Sequence, residues 1–514
     1  MIVEGREIER NSEIRADAVI VGSGCSGAVL ARELAEAGFE VVVLEEGGHY
    51  TLADYGKFRP SEAARFLYRN YATVPTLSLG DTPVIYILAG RCVGGSSLVN
   101  GGVCFRTPEY VIEDWRTRGG LTEITHEEMD RAFSRVEETL EVAPVPESMQ
   151  SEGVRRLATT AARIGWSGAP IKRNVVDCDG CCRCLFGCPH DAKRPVTMNY
   201  LAKAQAAGAR IYSDCRADRI LVRRGRAAGV EASVLDRTTG RRRRRLAIRA
   251  PVVVLAGGSL HTPLLLARAG VGRRSGAVGR NLTLHPGGRV YGLFDEKIEG
   301  WRGSFQSYAI DQFGREGIKM ISIYPPIGVI ASGLPGFGRE NRDAMENIDR
   351  IAAFGVMISD VSTGSVRRTP WGEPLVAYRL LPQDKAKLVR GLRLLAELYF
   401  EAGARKVYLP FDEIPVLSSR DELEKIRPEA VDARRMESSS QHPLGTCRMG
   451  KDPRSSVVGP AGEAHDLPGL YVVDGSIVPT SVNVNPQITI MGLATRIAWK
   501  MAERGRTAVV GAAT

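Results

Sequence analysis

The sequence lacks any long hydrophobic segment. Its 514 residues contain no run of about 18 consecutive apolar residues, the length that a transmembrane helix requires. The opening residues, MIVEGREIERNSEIR, have no apolar stretch after their charges, whereas a secretory signal peptide needs one. The sequence therefore predicts a soluble, cytoplasmic protein without a transmembrane segment.

Cysteine is too sparse and too unevenly placed for a disulfide scaffold. The chain has 10 cysteines, and five of them fall between Cys178 and Cys188. Disulfide-stabilised scaffolds are short secreted chains, so this class of protein is excluded. With 44% hydrophobic and 25% charged residues, the composition is that of an ordinary globular protein, and it excludes disordered and fibrous classes.

Negative charge is in deficit. The chain has 69 basic and 59 acidic residues and a formal net charge of +10, and part of the excess is the run Arg241 to Arg245. Short basic runs are usually solvated surfaces, so nucleic-acid binding is not predicted. The excess favours anionic substrates or partners.

The length and the pattern of elements predict two intimate domains of α/β class. The segment from Ala16 to Gly48 has the pattern strand, glycine turn, amphipathic helix, strand, which is a βαβ unit. Later apolar strands, such as PVVVLAGG, predict further pieces of the same domain. We expect a discontinuous Rossmann-like nucleotide domain in residues 14–110, 205–286 and 436–510, a helical region in 111–204 with a Cys-rich loop at 178–188, and an inserted α+β substrate domain with an antiparallel sheet in 287–435.

A dinucleotide-binding fingerprint lies in the βαβ unit. Gly22, Gly24 and Gly27 form G-x-G-x-x-G between a strand and a helix. The first glycine permits the tight turn, the second lets the backbone approach a pyrophosphate, and the third lets the helix pack on the strand. Glu45, at the end of the second strand, can accept hydrogen bonds from a ribose. The motif predicts a bound dinucleotide but does not separate FAD from NAD.

Later segments resemble the glucose-methanol-choline (GMC) oxidoreductases in order and spacing. They are AGRCVGGSSLVNGGVCFR, LAGGSLHTPLLLARAGVG, VGRNLTLHP, QHPLGTCRMG and LYVVDGSIVPTSVNVNPQITIMGLATRIA. The resemblance spans most of the chain and is weakest between Gly288 and Pro428. It implies an FAD-dependent oxidoreductase. Some relatives carry a flavin-linked His where this chain has Val99, so we expect FAD to be bound non-covalently.

The fingerprint and the resemblance together predict the cofactor-binding residues. Small residues, turn formers and a helix start can approach a flat ring system or a pyrophosphate. The predicted residues are Gly22, Gly24, Gly27, Glu45, Arg91, Gly94, Gly95, Ser96, Asn100, Gly101, Ala217, Asp474, Gly475, Pro486 and Gln487.

Oxidation of an alcohol requires a base close to the flavin, because the hydroxyl proton leaves as the carbon delivers hydride. Histidine is the natural base near neutral pH. Of the seven histidines, His442 opens the segment HPLGT and matches the catalytic His of the family. The second family position, His or Asn, falls on Asn485. The resemblance therefore implies His442 as the base and Asn485 as its partner.

The cysteine cluster has the spacing of ferredoxin-type iron-sulfur motifs. Cys178, Cys181, Cys184 and Cys188 form C-x2-C-x2-C-x3-C, and Cys182 is a spare thiol in this register. The spacing favours a 3Fe-4S or 4Fe-4S cluster. Zinc, with His190 nearby, and free thiols or disulfides remain alternatives.

Three functional hypotheses follow. The first is an FAD-dependent alcohol dehydrogenase that passes electrons through the cluster to a protein or quinone acceptor. The second is an oxidase that uses dioxygen. The third is an electron-transfer flavoprotein without its own substrate, in which the pair His442 and Asn485 would have no purpose; a redox-silent lyase is a minor fourth.

Overall fold

The computed structural model describes residues 1–512, in which helices alternate with mostly short strands. The α-helices of this range are α1 (Cys25–Glu36), α2 (Leu52–Tyr55), α3 (Pro60–Leu67), α4 (Glu109–Thr117), α5 (His126–Thr139), α6 (Glu152–Arg163), α7 (Tyr200–Ala206), α8 (Thr262–Ala269), α9 (Ile327–Gly333), α10 (Arg339–Glu346), α11 (Pro382–Glu401) and α12 (Gln487–Ala512).

The strands of the same range lie in five sheets. In chain order they are β1 (Ile2–Val3), β2 (Ser12–Arg15), β3 (Ala18–Val21), β4 (Val41–Leu44), β5 (Val74–Pro75), β6 (Leu77–Ser78), β7 (Ile85–Ile87), β8 (Ala143–Pro144), β9 (Gly168–Pro170), β10 (Lys172–Arg173), β11 (Arg210–Tyr212), β12 (Cys215–Arg223), β13 (Arg226–Leu235), β14 (Arg242–Arg249), β15 (Val252–Leu255), β16 (Arg280–Leu282), β17 (Gly287–Leu293), β18 (Tyr308–Ile310), β19 (Ile318–Ser322), β20 (Ile351–Ile358), β21 (Gly364–Arg368), β22 (Pro374–Tyr378), β23 (Lys406–Tyr408), β24 (Val416–Leu417), β25 (Ser438–Ser440) and β26 (Leu470–Val472).

A six-stranded parallel sheet carries the nucleotide-binding turn. Its order is β1-β11-β4-β3-β15-β26. Strands β3, β4 and β15 are short, almost wholly buried runs of Val, Ile, Leu and Ala, as expected for a parallel sheet covered on both faces. Strands from widely separated parts of the chain meet in this sheet. The sheet also includes β1, although β1 lies before residue 14, where the sequence predicts that the nucleotide domain starts. The predicted Rossmann-like fold is confirmed.

Helix α1 follows β3 and packs against α7 and α12, while α5 also packs on α12. The core on this side joins apolar residues of the parallel sheet to those of α1 and α12, among them Val29, Leu30, Ile488 and Ala494. Helix α12 begins at Gln487, directly after Pro486. The N-termini of α12 and α1 lie at the same cavity, because Pro486 and Cys25 both line it.

A second core lies under a largely antiparallel sheet of ten strands. Strand β20 pairs antiparallel with both β17 and β19, and α11 packs across these strands through Leu388, Leu392 and Leu395. Strands β17, β19 and β20 lie within residues 287–435, where the sequence predicts an antiparallel sheet. This confirms the predicted antiparallel sheet.

Two four-stranded sheets and a two-stranded ribbon complete the described fold. The first has the order β12-β13-β14-β2, and the second has the order β16-β21-β22-β6, whereas β8 and β10 form the ribbon. None of the helices within residues 1–512 combines the length and the apolar character that a membrane span requires.

Candidate active site

The three fingerprint glycines have different surroundings at the start of α1. Gly22 has φ of 103°, and a Cβ there would lie 2.3 Å from the carbonyl oxygen of Ala256. A Cβ on Gly27 would lie 1.9 Å from the carbonyl oxygen of Gly22, so both positions serve close packing. A Cβ on Gly24, by contrast, would meet no atom nearer than 4.0 Å, the Cα of Gly95. The backbone at Gly24 is therefore open to a ligand, and this fits a pyrophosphate at the helix N-terminus.

Gly27→Ala is expected to reduce both stability and FAD content. The added methyl group would meet backbone rather than a flexible side chain, and overpacking of this kind costs about 1–3 kcal/mol of unfolding free energy. Chemical denaturation and the flavin-to-protein ratio measure the two effects. Gly328→Ala in α9 is the matched control, because a Cβ there meets nothing within 4 Å. Equal stability and equal flavin content in both variants would contradict the close packing of the turn.

Glu45 lies directly after β4 and is buried beside the turn. Its carboxylate accepts hydrogen bonds from the backbone N–H of Ser23 at 3.0 Å, from the hydroxyl of Ser23 at 2.7 Å and from the N–H of Gly47 at 2.8 Å. Burial raises the pKa of Glu45, and these hydrogen bonds oppose the rise. A carboxylate has about four acceptor positions, so one stays available for a ribose hydroxyl.

A cavity of about 400 Å³ runs along this turn. Many of the predicted cofactor-binding residues line it, together with the predicted base: Gly22, Gly24, Glu45, Gly95, Ser96, Ala217, His442, Asp474, Gly475 and Pro486. The cavity thus extends from the acidic residue that follows β4 to the predicted hydride-transfer pair. The start of α1 and the Glu45 carboxylate, which both line this cavity, fit the phosphates and the ribose of a dinucleotide.

Six predicted cofactor-binding residues do not line the cavity: Gly27, Arg91, Gly94, Asn100, Gly101 and Gln487. Gly94 has φ of 91°, and its N–H donates to the Ser23 hydroxyl at 3.0 Å. The Asn100 amide donates to the side chain of Gln487. This contact joins residues 94–101, the predicted flavin-edge turn, to the start of α12. Gly101 follows this asparagine, and a Cβ there would clash with the side chain of Gln306.

Arg91 belongs to an ion-pair cluster at the wall. Glu46 lies 2.8 Å from Arg69 and 3.5 Å from Arg91. Burial opposes ionisation of Glu46, but the charge and hydrogen bond of Arg69, with the charge of Arg91, hold its pKa well below the usual range. His261, whose Nε2 has no hydrogen-bond partner in residues 1–512, also lines the cavity. Neither Arg69 nor His261 was predicted, because no local pattern distinguishes them.

The predicted catalytic pair meets at one end of the cavity. His442 Nε2 lies 3.2 Å from the side-chain nitrogen of Asn485, although the two residues are 43 positions apart. Both side chains are half-buried, and the Oδ1 atom of Asn485 is buried without a hydrogen-bond partner in the described chain. The Asn485 amide offers N–H donors that can hold the oxygen of a small hydroxyl-bearing ligand beside the imidazole.

Burial sets the protonation state of His442 and lowers its pKa to about 4. The ring of His285 stands beside it at 5.3 Å between centroids, with the planes at 74°. Nε2 of His285 accepts the N–H of Val482 at 3.0 Å, and burial keeps the pKa of His285 well below 6.5. Both rings are therefore neutral at neutral pH. The segment VGRNLTLHP contains His285. The sequence alone does not show that this ring contacts His442, because the contact is made by tertiary folding.

The Cys-rich loop packs against the flavin-edge turn. Cys184 and Cys188 are buried, whereas Cys178 and Cys181 are partly exposed. The spare thiol Cys182 is also buried, with its sulfur 3.3 Å from the carbonyl oxygen of Gly303. The loop is thus anchored by its C-terminal half and open to solvent at its N-terminal half.

Two buried cations link the loop to the turn. Arg173, only 1% exposed, donates to the carbonyl oxygen of Gly101 at 2.6 Å and lies 3.2 Å from Cys184 Sγ. Lys193, also 1% exposed, donates to the carbonyl oxygens of Leu98 at 2.8 Å and Cys184 at 2.9 Å. Burial lowers the pKa of Lys193 to about 8.

Neither of these cations, Arg173 and Lys193, forms an ion pair with a carboxylate in residues 1–512. Buried cations without a carboxylate are costly unless another negative group is near. Burial raises the pKa of the Cys178, Cys181 and Cys182 thiols, so the loop would supply this negative charge only with a metal bound.

A different ligand set lies on the exposed side of the loop. One oxygen of the Asp179 carboxylate is 2.8 Å from His190 Nε2, and these groups lie within 4.8 Å of Cys181 Sγ. Such a mixed set suits zinc rather than iron-sulfur. Among the described residues, no such convergent group includes Cys178, Cys184 or Cys188, so the predicted four-cysteine ligand set remains a prediction.

Comparison with known proteins decides the family. Residues 16–287 and residues 360–494 match two family profiles, each described as GMC oxidoreductase. The chain belongs to the GMC oxidoreductase family. A GMC-type oxidoreductase of Mycobacterium tuberculosis is 40% identical over 488 residues, which are 95% of this chain and 76% of that protein.

Relatives with a named activity are oxidases. A long-chain-alcohol oxidase of Arabidopsis thaliana is 29% identical and aligns with 98% of this chain and 69% of its own length. Among solved structures, a formate oxidase of Aspergillus oryzae superposes with a TM-score of 0.74 at 17% identity, covering 97% of this chain and 99% of that one. Pyridoxine 4-oxidase of Mesorbium loti superposes with a TM-score of 0.71 at 20% identity, covering 94% of this chain and 98% of that one. The predicted GMC membership and FAD-binding fold are confirmed, whereas these names do not favour a dehydrogenase over an oxidase.

Proposed function

We propose that this GMC oxidoreductase oxidises an alcohol by hydride transfer to non-covalently bound FAD. The observation that carries the proposal is the contact between His442 and Asn485 at the end of a cavity that fits the cofactor. Val99 supports non-covalent binding because it offers no nucleophilic side chain. The cytoplasmic location predicted from the sequence remains a prediction.

His442 and Asn485 have different roles at the substrate hydroxyl group. Neutral His442 takes the hydroxyl proton on Nε2, and the amide of Asn485 holds the substrate oxygen without competing for that proton. FAD, when bound, supplies the acceptor for the hydride that leaves the carbinol carbon. The product is the carbonyl compound, so atoms and charge balance.

The rate of flavin reduction is expected to depend on pH as the pKa of His442 dictates. Because burial lowers this pKa from 6.5 to about 4, the basic form predominates above pH 4. The reduction rate should be constant through neutral pH and fall about tenfold for each pH unit well below pH 4. Anaerobic stopped-flow measurements over the stable pH range test this, and an inflection near 6.5 would contradict it.

A panel of alcohols tests the proposed reaction directly. Aliphatic, sterol, sugar and aromatic alcohols are mixed anaerobically with the purified yellow protein, and bleaching of the flavin absorbance is followed. Bleaching by one class identifies both the reaction and the substrate class. A protein that holds FAD but is bleached by no alcohol, yet exchanges electrons with a redox protein, would instead favour the electron-transfer flavoprotein.

We further propose that electrons leave through an iron-sulfur cluster held by Cys178, Cys181, Cys184 and Cys188. The buried cations Arg173 and Lys193 support this, because they bridge the loop and the flavin-edge turn and lack carboxylate partners. Such a cluster accepts electrons one at a time and would pass them to a protein or quinone acceptor.

Transfer of electrons to dioxygen is the second candidate. The observation in its favour is that the long-chain-alcohol, formate and pyridoxine enzymes to which this chain is similar are oxidases. Peroxide formation in air separates the candidates: an oxidase forms stoichiometric peroxide, whereas a dehydrogenase reoxidises slowly until a quinone or a one-electron acceptor is added.

A further inference from the structure

An exposed tryptophan reaches the cofactor cavity from the inserted domain. Trp371 lies at the tip of the β21–β22 hairpin, where Gly372, with φ of 100°, donates its N–H to the carbonyl oxygen of Thr369 at 3.0 Å. The residue lines the cavity although it is 76% exposed. A large aromatic side chain that stays so exposed beside a cavity suits a planar ligand that would cover it.

The neighbouring cations fit the same kind of ligand. Arg268, on α8, and Arg368, at the end of β21, line the cavity together with Trp371. Neither guanidinium group has a hydrogen bond or an ion pair within the described chain. Unpaired arginines beside an aromatic ring are typical of sites that bind a base and its phosphates.

A chain of contacts places the hairpin at the adenosine end of the cavity. Glu373, two residues after the tryptophan, lines the cavity together with Arg69. The charge of Glu46, and to a smaller degree that of Glu373, raises the pKa of the Arg69 guanidinium against the effect of burial. Arg69 is paired at 2.8 Å with Glu46, which follows the predicted ribose ligand Glu45. The predicted hydride-transfer pair is instead beside Pro486, at the start of α12.

We propose that Trp371 stacks on the adenine ring of FAD and so retains the dinucleotide in its cavity. The inserted domain would then hold the cofactor from outside the nucleotide fold. This inference rests on the proposed function only in that FAD is the cofactor. It does not depend on the substrate or on the electron acceptor.

The rate of FAD release tests the inference. Purified holoenzyme is diluted, and free FAD is followed by its fluorescence. Trp371→Ala is expected to release FAD about 5-fold to 150-fold faster, which is the range for loss of one base–aromatic stack. Trp371→Phe keeps an aromatic ring and should stay near the wild-type rate.

Leu375→Ala is the matched control, because Leu375 is exposed on the same hairpin but does not line the cavity. It should release FAD at the wild-type rate. Equal release rates in wild type and Trp371→Ala would overturn the inference, as would equal acceleration in Leu375→Ala, which would indicate a general effect on the hairpin. If the wild-type protein itself holds no FAD, the proposed function fails instead.

FMN, which lacks the adenosine half, is the second probe. FAD-depleted wild type and Trp371→Ala are titrated with FMN, and the quenching of flavin fluorescence gives the affinity. Equal FMN affinities are expected if the ring stacks on adenine. A loss for FMN as large as that for FAD would place the contact at the isoalloxazine ring and overturn the assignment.

Discussion

His442→Ala is expected to slow reduction of bound FAD by an alcohol about 10²-fold to 10⁴-fold, the usual contribution of a general base. The substrate hydroxyl would have to lose its proton to water, while hydride acceptance by the cofactor would be unaffected. FAD content should stay at the wild-type level, since the substitution leaves the fingerprint turn and the hydrogen bonds of Glu45 to Ser23 and Gly47 intact. Anaerobic stopped-flow mixing gives the reduction rate separately from reoxidation.

Two comparisons make this result specific. His126→Ala removes an exposed histidine from the start of α5, outside the cavity, and should reduce at the wild-type rate. Because His442 lines the cavity, added imidazole can enter the space left by the alanine and is expected to restore part of the activity. An unchanged reduction rate in His442→Ala would reject this residue as the base.

Cys184→Ser is expected to impair electron exit and to spare flavin reduction. Cys184 is buried, contacts Arg173 and belongs to the proposed cluster. Loss even of an outer partner of a metal ligand costs about 10-fold to 100-fold in metal affinity or activity, so reoxidation by a quinone or one-electron acceptor should slow by at least that factor. Reduction by alcohol should change little, because the hydride-transfer pair is untouched.

Cys182→Ser provides the control, since this buried thiol lies in the same loop but outside the predicted ligand spacing. It should keep the iron content and the acceptor rate of the wild type. EPR of reduced and oxidised protein detects the cluster itself. If metal analysis finds zinc, and His190→Ala removes it, the exposed set of Asp179, Cys181 and His190 is the metal site. If the acceptor reoxidises the flavin at the same rate in wild type and in Cys184→Ser, the loop has no redox role.

Several features could be predicted because they depend on neighbours in the chain. The fingerprint glycines, the helix that follows them and the acidic residue after β4 form one continuous segment, so local spacing was sufficient to predict a dinucleotide. The buried β15 was likewise evident from apolar patterning, and Pro486 indicated the start of the helix that is α12. Resemblance to a family added His442 and Asn485, which no local pattern would have paired across 43 positions.

By itself, then, the sequence determined the nucleotide fold, the order of its segments and the spacing of the cysteines, since each is a matter of short-range pattern. Only the tertiary structure decided that Lys193 and Arg173 join the cysteine loop to the flavin-edge turn, and that Trp371 of the β21–β22 hairpin lines the same cavity as the fingerprint turn. The reason is physical: the burial of a cation and the surroundings of an exposed ring depend on segments that are distant in sequence. Only folding brings those segments into contact.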